Sequence, residues 1–439
     1  MFSSQLQPSF KRRPFALRGI SAQNFKSFRN LDIELPDFCA IVGPNASGKS
    51  NFVNLFRFLR DTRRVGLDNA VSLQGGYEYL LTRPVDDSRE LRVAIRIERV
   101  EGGDSPDTMR RRRMGGSIYG LLTSRLRYEF ALSFGKTSGR CRVVEDRCEL
   151  ILGLRRLSGP RRHVEVVQDY GTVSVTFEAQ HGKTKANYAK NDAWPVSLNE
   201  FLPTFMMDIG VPRGDLLLSS PLASFLFPEL SDTIDSIAVY DFDPRLAKRA
   251  VPVTGKTVLE ESGENIATVL QGIERNPKKK RMFLNLLRDV LPFIKNVKSE
   301  RFIDKYVLFK LIEEYNPRFG VPSSLASDGT INVIALLLAL YFEDAGIAVI
   351  EEPDRCLHPL LSSAVVGLLS DAALRRQVIV TTHSPDIVRN VGVEGLVLAD
   401  RSAEGYSRLV RPADSEQVRT FLSNELGVDD LFVQGMLGV

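Results

Sequence analysis

The chain has 439 residues, 43% hydrophobic and 26% charged, with four cysteines and a formal net charge of +4. That is enough apolar material for one large or two modest domains, and the charge content is ordinary for a soluble protein. No apolar run approaches the roughly 18 residues needed to span a bilayer, which argues against a membrane protein. Lys11, Arg12 and Arg13 are not followed by an apolar block with a small-residue cleavage site, so no secretory leader is expected. Cys39, Cys141, Cys148 and Cys356 lack zinc or disulfide spacing, and a cytoplasmic protein with reduced thiols is the expectation.

In chain order, Leu17 to Phe25 and Leu31 to Leu35 read as antiparallel strands ahead of an apolar strand, Phe38 to Val42. Gly43 to Ser50 then fits G-x-x-x-x-G-K-[ST], and a helix pattern follows over Asn51 to Leu59. Strand, Gly-rich loop and helix N-terminus together make a phosphate cradle of backbone N–H groups. Gly43, Asn45, Ala46, Ser47, Gly48, Lys49, Ser50 and Asn51 are the candidate ATP contacts. Lys49 is placed for the β- and γ-phosphates and Ser50 for Mg2+.

From Glu90 to Glu178 the pattern alternates with period two, as in β-hairpins joined by Gly-rich turns, and Glu101 to Gly116 reads as a mobile loop. Residues 197 to 300 read as mostly helical, over Leu198 to Asp208, Pro221 to Ile237, Asn265 to Glu274 and Lys280 to Ile294. No heptad pattern is sustained there, so no long coiled coil is expected. Arg110 to Arg113, Arg155 and Arg156, Arg161 and Arg162, and Lys278 to Arg281 form basic clusters. Such clusters suit DNA or RNA phosphates, an acidic protein, or simply a solvated face.

Ser327, Asp328, Gly329 and Thr330 precede an apolar helix, Ile331 to Phe342. Helix capping by Ser327 or Asp328 is one reading. A second phosphate-binding end, offered to a nucleotide on another copy of the chain, is the other. Gly346 to Ile350 is a buried-type strand carrying Glu351 and Glu352 at its carboxyl end, where ligands of open α/β sheets collect. Glu351 is a candidate Mg2+ ligand and Glu352 a candidate base on the opposite side of the strand. Gln377 to Thr382 is another such strand, ending on His383, a candidate phosphate sensor. The tail reads as a strand at Gly395 to Leu398, a partner at Ser407 to Arg411 and a helix at Ser415 to Leu426, too little for an appended nuclease domain.

This motif set resembles the ABC-type ATPases of the SMC, RecF and OLD group. It looks most like the single-chain AAA family ATPases of bacterial defence operons. The resemblance is carried by residues 24–28, the P-loop, residues 75–78, everything from Ser324 to about Val391, and the tail positions Leu426, Gly427, Leu431, Phe432 and Gly435. It is weaker at 239–243 and 263–266. It implies an α/β ABC-type P-loop ATPase head with a mixed central sheet, an antiparallel β subdomain and an inserted helical subdomain. Residues 1–195 would form the P-loop half with the β-rich part, 196–300 the helical insertion and 301–439 the half with the signature, Walker B and switch histidine.

It further implies ATP and Mg2+ as cofactors, a homodimer or higher oligomer, and signature contacts in trans from Ser327, Asp328 and Gly329. Asp354 would lie in an interface loop, and Glu352 and His383 would be catalytic. An effector or nuclease would act in trans, in defence or genome maintenance. The sequence departs from transporter signatures at Ala326, Asp328 and Thr330, and Glu351 stands where an aspartate is usual. Gln74 is the one Q-loop candidate. A transporter subunit and an ATP-binding scaffold without turnover are the alternative readings.

Overall fold

The computed structural model describes residues 13–83, 89–100, 109–135, 141–159, 165–180, 183–188, 191–201, 210–212, 214–252, 256–302 and 305–414. A six-stranded mixed sheet organises the molecule. Its strands run in the spatial order Ile237–Tyr240, Ile347–Glu351, Gln377–Thr382, Phe38–Val42, Leu396–Arg401, Ser407–Val410. The first five are parallel and the last is antiparallel.

These strands are short apolar runs because both faces are covered. Cys39 and Ile41 join a core on one face, and Ala40 and Val42 join a second core on the other, as a side-chain period of two requires. On the first face lies the helix Lys49–Val65, the longest described, at 17 residues. Its Phe58 ring sits between Phe25 and Phe130, with centroids 6.0 and 6.4 Å away. Those two rings belong to an eight-stranded antiparallel sheet in the order Phe28–Glu34, Phe15–Phe25, Glu90–Arg99, Ser117–Phe134, Cys141–Ser158, Glu165–Gln180, Lys183–Tyr188, with Arg110–Met114 paired to Ser117–Phe134. Gln377 ties the two sheets: its amide donates to the Leu17 carbonyl at 2.8 Å and its oxygen accepts from the Leu17 N–H at 3.3 Å.

The second face is covered by Asp328–Tyr341, Ile266–Glu274 and Pro277–Val290, which share one core with a small antiparallel sheet built on Ile294–Phe302 and Tyr306–Glu313. Asp328–Tyr341 is buried almost all round, with Ile331, Val333, Ile334, Leu336, Leu337 and Leu338 at 0% exposure, so it has an apolar composition rather than an amphipathic stripe.

Several elements differ from the sequence expectations. The segment expected as a mobile loop over Glu101 to Gly116 contains the strand Arg110–Met114, closed onto its neighbour by Gly115 and Gly116 at positive φ. The helix expected over Pro221 to Ile237 is split into Pro221–Leu226 and Pro228–Asp235, because Pro228 cannot continue the preceding helix. Ile237 instead opens a central strand, so residues 196–300 contribute to the main sheet as well as helices. Of the helix expected over Leu198 to Asp208, Leu198–Glu200 is a 3-10 turn capped by Ser197, and residues 202–208 lie outside the described residues. The expected tail helix, the tail residues Leu426 to Gly435, and Arg161 and Arg162 lie outside the described residues. Among the described residues no helix is long and apolar enough to cross a membrane.

Candidate functional site

Three adjacent parallel strands, Ile347–Glu351, Gln377–Thr382 and Phe38–Val42, end in register at one edge, with Glu351 opposite Thr381 and Thr382 opposite Val42. The chain leaves these ends as Glu352, His383 and Gly43. Parallel pairing therefore gathers residues 43–51, 351–354 and 383 into one crevice.

Within the loop, a Cβ on Gly43 would meet the Ala399 carbonyl oxygen at 2.0 Å, so only glycine lets the loop pass the next strand. Gly48 has φ 109° and Ala46 φ 63°. Arg401, at the end of that next strand, donates to the Ala46 carbonyl and steadies the loop. The Ser47 hydroxyl is buried with no hydrogen-bond partner among the described residues, an orphaned polar atom where a phosphate group is expected. Lys49 is folded back, its ammonium donating to the carbonyls of Gly43 at 2.8 Å and Pro44 at 2.9 Å. Burial lowers its pKa, and the charges of Glu352 and Glu351 oppose that. Asn51 donates to Ser27, which also accepts from Ser407. Asn45 is exposed at the loop tip.

Glu351 is fully engaged. Its Oε2 accepts from the Ser50 hydroxyl at 2.7 Å, and its Oε1 meets the Arg57 guanidinium at 3.0 Å. The residues assigned to Mg2+ thus meet, and a hydroxyl beside a carboxylate is the hard-oxygen donor set that ion takes. Arg57 also pairs with Glu261 and bonds Asn54.

Glu352 turns the other way, although not by strand alternation. The strand has ended, and Glu352 takes φ 43°, a left-handed position rare for a non-glycine residue. Its carboxylate lies 3.7 Å from His383 Nε2 and accepts from Arg355 Nε at 3.1 Å. Arg355 reaches on to Asp241 at 3.3 Å. Asp354 does not face outward: its carboxylate accepts from the Thr382 hydroxyl at 2.9 Å, and burial raises its pKa.

Ser327 caps its own helix. It accepts from the Thr330 N–H at 3.2 Å and shares a hydrogen bond with the Thr330 hydroxyl at 2.8 Å. Asp328 pairs with Lys248. Gly329 packs so closely that a Cβ would sit 2.9 Å from the Cys356 carbonyl oxygen. The capping role is therefore filled within one chain, and Ser327 remains exposed. Asn332, one turn on, donates to the carbonyls of Pro353 at 3.0 Å and Arg355 at 2.9 Å, joining this helix to the loop after Glu352.

Gln74 ends a short helix beside the loop and lines an open cleft of about 830 Å³ with Lys26, Ser27, Asn51, Tyr79 and Arg401. Arg57, Asp241, Arg355, Asn332, Arg401 and Ser407 were not legible as site residues. Arg57 had one signal, a lone cation amid Phe52, Phe56 and Phe58. Asp241 had another, its position just after a short apolar run.

Residues 123–389, more than half of the chain, match the family model described as AAA domain, putative AbiEii toxin, Type IV TA system. The Chromosome partition protein Smc of Methanocaldococcus jannaschii is 52% identical over 44 residues, 10% of this chain and 4% of that protein. The Smc of Methanococcus voltae is 43% identical over 65 residues, 14% of this chain and 5% of that one. The chain thus spans a small fraction of the curated relatives it matches. Among solved structures, the SMC head domain from Thermotoga maritima aligns at 14% identity over 90% of this chain and 98% of that one, with TM-score 0.39. A Pyrococcus furiosus Smc head domain with an extended coiled coil, bound to the C-terminal domain of ScpA, aligns at 14% over 94% and 99%, with TM-score 0.45.

Proposed function

The chain belongs to the AAA domain, putative AbiEii toxin, Type IV TA system family, and from that premise we propose that it is a switch ATPase whose two copies close over ATP and reopen on hydrolysis. The observation that carries this reading is the joint placement of Lys49, the Ser50–Glu351 pair and the Glu352–His383 pair at the ends of three neighbouring strands.

In the proposed cycle Lys49 leaves the Gly43 and Pro44 carbonyls for the β- and γ-phosphates, and the loop N–H groups face the same anion. Ser50 and Glu351 would hold Mg2+, which would supply charge neutralisation at the phosphates. Glu352 accepts a proton from the attacking water, whose oxygen bonds to the γ-phosphorus as the bond from that phosphorus to the β–γ bridging oxygen breaks; ADP leaves with that oxygen and its electron pair, and inorganic phosphate is the other product. His383, in reach of the same carboxylate, reads the γ-phosphate. Ser327 and the helix it caps meet the γ-phosphate held by the second copy, with Asp328 and Gly329 beside it and Asp354 in the loop at the seam. The movement would govern an effector such as a nuclease, or engagement with nucleic acid through the basic clusters; these two uses rest on the family resemblance and the charge pattern.

The test is steady-state ATPase of wild type against Glu352→Gln. Loss of turnover by at least ~100-fold with ATP binding retained is expected. A Glu352→Gln enzyme as fast as wild type removes the base assignment.

A further inference from the structure

The two adjacent glutamates each end on a guanidinium, but the two clamps are built differently. Arg57 rises from a helix, is 17% exposed, and is pinned by Glu261, Glu351 and Asn54 together. Arg355 lies on a loop, is 44% exposed, and among the described residues holds two carboxylates, Glu352 at 3.1 Å and Asp241 at 3.3 Å. The segment carrying it is bounded by two non-glycine residues in the left-handed region, Glu352 at φ 43° and Cys356 at φ 63°. Such positions are strained for residues that carry a side chain and persist where surrounding structure enforces them. Part of that enforcement is Asn332, 3% exposed, whose amide holds the Pro353 and Arg355 carbonyls from the helix that Ser327 caps.

We propose that Arg355 is a releasable clamp on Glu352, set in the resting subunit and let go when the Ser327 end of the helix is engaged. While the clamp is set, one carboxylate oxygen of Glu352 is occupied by a guanidinium and drawn toward Asp241, on the neighbouring strand end. That oxygen is then not free to take a proton from water. A shift of the Ser327 helix moves Asn332, and with it the carbonyl of Arg355 itself, so a contact made at the helix N-terminus reaches the base through one side chain. Arg355 is a positioning residue: it acts through Glu352. The turnover part of this inference rests on the ATPase reading above; the pairing itself does not.

Two measurements test it. At low protein concentration Arg355→Ala should hydrolyse ATP roughly two- to five-fold faster than wild type, the range open to a partly exposed ion pair. Its specific activity should also depend less on protein concentration. Arg355→Lys should fall between, because a single ammonium lacks the fork that spans two carboxylates. Equal or slower turnover in Arg355→Ala overturns the clamp. The second measurement is a melting cycle on the nucleotide-free chain with Arg355→Ala, Glu352→Ala and the double variant. The double variant should shift the melting temperature by less than the sum of the single shifts. Additive shifts overturn the clamp even if turnover rises as expected. If wild type and Glu352→Gln hydrolyse alike, the base assignment fails and the melting cycle alone decides the clamp.

Discussion

The Ser50 hydroxyl donates to Glu351 Oε2 across 2.7 Å, joining residues 301 positions apart in the chain. One sits at the start of the loop helix and the other at the end of a central strand. Both are hard-oxygen donors, so Ser50→Ala should raise the Mg2+ concentration for half-maximal ATPase by about 10-fold or more. An unchanged Mg2+ titration would count against this pair as the metal site.

His383 Nε2 lies 3.7 Å from Glu352. Residues that act as a unit are not additive in their effects. His383→Ala should slow turnover on its own, while Glu352→Gln with His383→Ala should be little slower than Glu352→Gln alone. Independent, multiplying losses in kcat would separate the two roles.

Ser327 is exposed and bonds only within the first turn of its own helix among the described residues. Ser327→Arg should therefore cost the isolated fold no more than ~1–2 kcal/mol, the worth of a cap. It should leave ATP binding intact, abolish turnover and block ATP-dependent dimerisation seen by light scattering. Normal turnover would exclude a contact in trans at this residue.

Asp146 is buried in the antiparallel sheet, accepting from the Tyr128 hydroxyl at 2.8 Å and the Leu217 N–H at 2.6 Å. Burial pushes its carboxyl up to about 7, from 3.8. Between those values the folded chain keeps a proton that the unfolded chain has lost. Stability therefore falls as pH rises through that window, and the penalty is complete above it. Relative to wild type, Asp146→Asn should melt progressively higher from pH 5 to pH 8. A gap that does not change with pH would show that Asp146 stays ionised throughout.

Asn332 supplies the hydrogen bonds of two loop carbonyls from inside the core. Asn332→Ala leaves both without that donor and should cost about 1–3 kcal/mol in urea unfolding. An unchanged midpoint would mean that water or another donor replaces the amide.

Local pattern alone determined the strand, loop and helix around Lys49, the buried strands ending at Glu351 and Thr382, and the apolar helix after Ser327. Each is a short-range signal: an apolar run of strand length, a spacing of glycines, a carboxylate or imidazole where a run stops. The alternating segment from Glu90 to Glu178 was readable for the same reason.

Only the tertiary structure decided that Ile237–Tyr240 belongs to the central sheet, because a four-residue strand between helical segments has too little periodicity to stand out. It likewise decided that Arg57 guards Glu351 while Arg355 guards Glu352. Charge pairing depends on which loops converge in space, and Arg57 and Glu261 are separated by more than two hundred residues of chain. It also decided how Glu352 comes to face away from Glu351, since a left-handed turn just past the strand end, and not strand alternation, sets its direction.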